Sequence, residues 1–121
     1  MWCRGIRGAT VVEENTSKAI LAASRKLLQE MVAANGVEVD DIACVLFTTT
    51  PDLDAVFPAA AAREMGWSQV ALLCSHEMHV VGSLTRCLRI LMLVNTEKKS
   101  DEIVHVYHKG AEVLRKDLGK A

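Results

Sequence analysis

Aromatic side chains are scarce in this 121-residue chain: two Phe, two Trp and one Tyr make 4% of positions, although 50% are hydrophobic. The core must therefore come from aliphatic and small residues. Charge of either sign is not in surplus, since 14 Lys+Arg face 15 Asp+Glu for a formal net charge of −1. That balance excludes a global positive field able to hold a nucleic-acid backbone or an acidic membrane. No run approaches the roughly 18 apolar residues of a membrane span, and Met1 to Arg7 lacks the basic-then-apolar layout of a signal peptide. A cytoplasmic protein is expected. Cys3, Cys44, Cys74 and Cys87 are irregularly spaced in apolar surroundings, so they read as reduced, mostly buried thiols and not as a disulfide framework.

Recognisable catalytic motifs are also missing. There is no nucleophile elbow, phosphate-binding glycine loop or dinucleotide fingerprint, and Gly5-Ile6-Arg7-Gly8 has the wrong glycine spacing and opens a strand. Covalent and nucleotide chemistry find no support, and no cofactor is expected. His76/His79 and His105/His108 match no strong zinc pattern, so a metal-binding regulatory protein is a minor reading and no metal site is assigned.

The length fits one domain over residues 1–121, and the high apolar fraction points to surface covered by a partner chain. Gly5 to Val12 reads as a strand and Ser17 to Asn35 as a long helix, with Asn15 or Thr16 as its cap and Gly36 as its stop. Ile42 to Thr50 is a short apolar run typical of a strand buried on both faces. Pro58 opens a short helix through Met65. Val70 to Cys74, Cys87 to Val94 and Ile103 to Tyr107 read as further strands, the second crossing the middle of the sheet, and Ala111 to Leu118 as a short polar tail. This order predicts an α+β (mixed α/β) fold: a mixed β-sheet packed on one long helix.

Arg89 is the most informative residue, a guanidinium among seven apolar or thiol neighbours that must be paired, hydrated or placed at a cavity. A structural salt bridge and a ligand-binding role weigh equally. Arg4 and Arg7, three apart on a strand, point to opposite faces, so at most one shares a site with Arg89. Glu77, at the end of an apolar strand, can pair with Arg89 or accept a hydroxyl from a ligand. Cations, one carboxylate and few aromatics on apolar strands suit a small dianion carrying a hydroxyl group.

Several blocks carry a family resemblance. Arg4-Gly5-Ile6-Arg7-Gly8-Ala9-Thr10-Val11, then Thr50-Pro51-Asp52-Leu53-Asp54-Ala55-Val56-Phe57-Pro58-Ala59, then Cys74-Ser75-His76-Glu77-Met78 with Gly82, Leu84 and Cys87-Leu88-Arg89, resemble the monofunctional, homotrimeric, Bacillus-type chorismate mutases. Val104-His105-Val106-Tyr107 and Val113-Leu114-Arg115 close the pattern in the right order. The resemblance implies a pseudo-α/β-barrel homotrimer with active sites between subunits, and conversion of chorismate to prephenate by an intramolecular Claisen rearrangement. By motif position it implies that Arg89 meets the ether oxygen and a carboxylate, that Arg7 and Tyr107 bind carboxylate, and that Glu77 and Cys74 meet the ring hydroxyl. Phe57 is implied as an apolar wall, Leu73 as a further substrate contact, and Arg63, Leu114 and Arg115 at the mouth or a closing tail. Ala60 stands where some relatives carry lysine, and His79 where an acidic residue is frequent. The competing expectation is a trimer of similar subunit shape, such as a reactive-imine deaminase or a small-anion-binding protein.

Overall fold

The computed structural model describes residues 1–108 and 110–115, except the side chain of Arg115. Among the described residues five strands and two helices follow in the order β1 (Trp2–Val11), α1 (Ser17–Asn35), β2 (Ile42–Thr49), α2 (Ala59–Glu64), β3 (Ala71–His76), β4 (Cys87–Thr96) and β5 (Val106–Tyr107). They form one sheet in the order β3-β2-β4-β1-β5. Central β4 runs antiparallel to β1 and β2, while β2/β3 and β1/β5 pair in parallel. The expected mixed sheet on one long helix is present.

Helix α1 has a signal at each end. The Thr16 hydroxyl accepts the Ala19 N–H at 3.1 Å, and Gly36 closes the helix at φ 59°, a left-handed conformation that costs glycine little. The helix buries Ile20, Leu27, Leu28 and Met31 against Ile6, Val45, Phe47, Ile90 and Met92 of the sheet. Each large side chain so buried contributes about 1.5–3 kcal/mol. Ser24 is tolerated there because its hydroxyl donates to the Ile20 carbonyl at 2.7 Å. At Gly8 the helix comes so close that a Cβ would stand 2.5 Å from the Met31 sulfur.

Among the described residues, strand alternation leaves the opposite sheet face uncovered by α1 and α2, and the segment Ala111–Leu114 packs only at its Ala9 and Tyr107 end. Across that face, Arg7 pairs with Leu91, Leu91 with Leu46, and Leu46 with Leu73. Leu73 is 62% exposed. Thus β2 is buried fully on one face only, and Cys44, Leu46 and Thr48 remain half-buried, unlike the expectation of burial on both faces. Among the cysteines Cys3 is exposed, Cys44 and Cys74 are half-buried and Cys87 is buried, all as free thiols.

The last strand is shorter than expected because side chains replace the ladder. The buried Asn35 amide accepts the Val104 N–H at 2.8 Å and donates to the Val104 carbonyl at 2.9 Å, so Val104 is bonded to α1 instead of a strand. Residues Ala111–Arg115 form a 3₁₀ turn; the rest of the tail expected through Leu118 lies outside the described residues. The Thr50-Pro51-Asp52 turn is tied to β4 by the Asp52 carboxylate, which accepts the Arg86 N–H at 2.9 Å. Burial acts to raise the Asp52 carboxyl, but the Thr50 hydroxyl and the Arg86 backbone hold it below its ordinary value.

Candidate active site

Arg89 lies near the start of the central strand β4 on the uncovered face, flanked across the ladder by Ala9 and Thr48. Just past β3 the Glu77 N–H donates to the Thr49 carbonyl at 2.7 Å, which carries the parallel β2/β3 pairing one residue further and holds Glu77 beside the end of β2. The Glu77 carboxylate then accepts the Thr48 hydroxyl at 2.9 Å and an Arg89 N–H at 3.3 Å on the same oxygen. Burial alone raises its carboxyl, yet the Thr48 and Arg89 hydrogen bonds and the Arg89 charge bring it below the ordinary value. Glu77 is therefore an ionised acceptor at neutral pH. The Arg89 and Glu77 side chains stay 34% and 31% exposed, so the pair is open to a ligand and most of the guanidinium fork remains to donate.

Arg7 enters the same space from β1, and its guanidinium carbon stands 6.0 Å from the centre of the Tyr107 ring on β5. Arg7, Thr48, Glu77, Arg89 and Tyr107 line a cleft of about 300 Å³ floored by Ala9, Leu46 and Leu91. Arg4 is turned away: its Nε donates to the Lys98 carbonyl at 3.1 Å and its head lies over Trp2. The two arginines thus lie on opposite faces, as alternation along β1 requires. A smaller cavity beside the cleft shares Glu77 and Arg89 and is lined by Leu114, while the Arg115 side chain lies outside the described residues.

The remaining residues expected at the site stand elsewhere on the chain. Phe57, 70% exposed, and Cys74 line a separate cavity of about 530 Å³ with Thr49, Asp54 and His76. Cys74 pairs with Phe47, which is in the core, so its side chain is on the helix side of the sheet. Glu77 is on the other face, and one chain does not bring Glu77 and Cys74 to a common hydroxyl. Burial pushes the Cys74 thiol up, against the pull of the Ala59 backbone and the Arg63 charge. Arg63 is exposed on α2 in a groove with Trp67 and Leu72, and Leu73 projects from edge strand β3.

The histidine pairs come apart. His105 accepts the Arg7 N–H through Nδ1, and His108 meets the Glu30 carboxylate of α1, whereas His76 lies against Thr49. No group of three His, Cys, Asp or Glu side chains among the described residues is close enough to hold a metal ion. Thr48 is a site residue that the sequence reading does not single out. Its signal is a hydroxyl alternating with Leu46 on one face of an apolar strand, but its pairing with Glu77 spans a long-range fold of the chain.

Fold and cleft together define a small α/β protein with two arginines and a carboxylate gathered in one cleft on the face of its sheet away from α1. The chain belongs to the chorismate mutase type I family, whose profile matches residues 3–118. It is 45% identical to Chorismate mutase AroH of Bacillus subtilis over 119 residues, covering 98% of this chain and 94% of that protein. Chorismate mutase AroH of Thermus thermophilus is 49% identical over 119 residues, 98% of each chain. A solved chorismate mutase from Clostridium thermocellum superposes with a TM-score of 0.89 at 53% identity, covering 93% of this chain and 99% of that one.

Proposed function

We infer that this protein is a chorismate mutase, an isomerase of aromatic amino-acid biosynthesis that converts chorismate to prephenate. The observation that carries the reading is the joint presence of a near full-length family match and the Arg7, Glu77, Arg89 and Tyr107 cleft. This favours it over the reactive-imine deaminase alternative.

The reaction is an intramolecular rearrangement in which the ether oxygen gains negative charge as its carbon–oxygen bond breaks. It needs no nucleophile and no proton transfer. Acceleration comes from holding the compact chairlike conformer and from donors fixed where charge develops. Arg89, held at one N–H by Glu77, offers its free N–H groups to the ether oxygen and a carboxylate. Arg7 and Tyr107 take carboxylate, and ionised Glu77 accepts the ring hydroxyl.

Phe57, Arg63, Leu73 and Cys74 form the second wall, and it belongs to a neighbouring copy in a homotrimer. Two features support this: these residues do not reach the cleft of their own chain, and an apolar sheet face and an edge strand stand uncovered. Leu114 and Arg115 flank the mouth. Residues 1–121 act as one domain, and the free cysteines suit the cytoplasm; no described helix is long and apolar enough to cross a membrane. Purified protein should convert chorismate to prephenate without added metal or cofactor. A folded assembly that leaves chorismate at its spontaneous rate overturns the reading.

A further inference from the structure

His105 does not line the cleft, yet it is bonded to the backbone of Arg7, which does. Its Nδ1 accepts the backbone N–H of Arg7 at 2.9 Å, across 98 positions of sequence. Strand β5 has only two residues, pairing Val106 with Gly8 and Tyr107 with Ala9, so no strand carbonyl of β5 stands opposite Arg7. The imidazole takes that place in the ladder. Two residues on, the Tyr107 ring lies beside the Arg7 guanidinium. The short segment 105–107 therefore holds Arg7 at two points, its amide through His105 and its charged head beside Tyr107.

We propose that His105 is a positioning residue for the chorismate mutase reaction: as a neutral ring acting as acceptor, it registers β1 on β5 and so aims Arg7 into the cleft. This rests on the reading of that cleft as the active site. The bond requires an unprotonated Nδ1, with the ring proton on Nε2. Protonation would set a donor against the Arg7 N–H and a second cation beside its guanidinium. The groups around the ring favour the neutral form. Burial, then the Arg7 charge, keeps His105 below its ordinary value. From β5 the neighbour is Tyr107; from α1, Glu30 is engaged by His108 and the Asn35 amide by Val104.

The test compares wild type, His105→Asn and His105→Phe in steady-state turnover of chorismate across mildly acid to neutral pH. Asn places an oxygen acceptor where Nδ1 stands and does not titrate; Phe keeps a ring and loses the acceptor. The Phe variant should raise KM about 10-fold with a smaller change in kcat, the size of one lost hydrogen bond behind a carboxylate anchor. Wild-type KM should rise as pH falls below the ordinary histidine value, while the Asn variant should recover most of the neutral-pH affinity and lose that acid rise. An unchanged KM in the Phe variant, or the same acid rise in wild type and the Asn variant, overturns the proposal; if the Phe variant does not fold, the Asn profile decides. Nitrogen NMR of the His105 ring in the full chain gives an answer independent of turnover, since a proton on Nδ1 at neutral pH would also overturn it. Wild type that does not convert chorismate would instead sink the reading of the function, leaving the NMR result to decide the His105 bond.

Discussion

On its helix-covered face the sheet buries Ile6, Phe47, Ile90 and Met92 beneath α1, and each of these is complete within one chain. The uncovered face places Arg7, Glu77, Arg89 and Tyr107 around a cleft, with Leu91 and Leu73 left partly in solvent. The first face is apolar and closely packed, so its energy lies in burial. The second keeps a third of its central ion pair exposed, and its energy is held for a ligand. A change on the covered face should therefore appear in stability, and a change on the open face in rate.

Replacing Arg89 by Gln should break the open face with the largest effect. Loss of a donor at the developing charge should lower kcat by about 10²–10³ and move KM less, with unfolding nearly as in wild type. Steady-state kinetics checks this, and an effect confined to KM would make Arg89 a ground-state anchor only. Next, Arg89→Gln and Phe57→Ala chains can be mixed under subunit exchange. If the two walls come from different copies, random trimers carry about a quarter of their sites intact, and activity should return toward that level. No gain on mixing would place both walls in one chain.

On the covered face, Gly8→Ala should cost about 1–3 kcal/mol, because its Cβ must displace the buried Met31 side chain. Denaturant unfolding measures that cost, and unchanged stability would show that α1 can shift freely. The smallest effect is expected from pH. Since no group gains or loses a proton in the transition state, kcat should be nearly flat through neutral pH, and a bell centred there would reveal acid–base chemistry. Stability should fall on the alkaline side as pH rises from the ordinary thiol value through the raised native values of Cys74 and Cys87, and on the acid side for three other groups. Glu77, Asp52 and His105 all have native values below their ordinary ones. Their stabilisation is complete above those ordinary values and is lost as pH falls through the native ones, first for His105 and then for the carboxylates.

Much of this is legible in the sequence. The α1 boundaries follow from a capping hydroxyl, apolar residues at helical spacing and a terminal glycine, all local signals. The parity of Arg4 and Arg7 was equally readable, because alternation along a strand is local. Strand β5 was read too long because its apolar composition is genuine, while the groups that divert it, Asn35 and Arg7, are 69 and 98 positions away. The family resemblance implies that Cys74 and Glu77 meet one hydroxyl, yet three positions apart on an extended segment they fall on opposite faces of the sheet, by the same alternation that parts Arg4 from Arg7.

The sequence by itself determined the family, the helix, the strands and which residue types would meet a small dianion, since these depend on local spacing and on motifs in order. Only the tertiary structure decided which of those residues share a cleft. Arg7, Glu77, Arg89 and Tyr107 come from four separate segments, joined by the register of β1, β2, β4 and β5 and by the Glu77 amide on Thr49. Such long-range pairings are settled by packing on α1, where a slip of one residue would turn every one of these side chains to the other face.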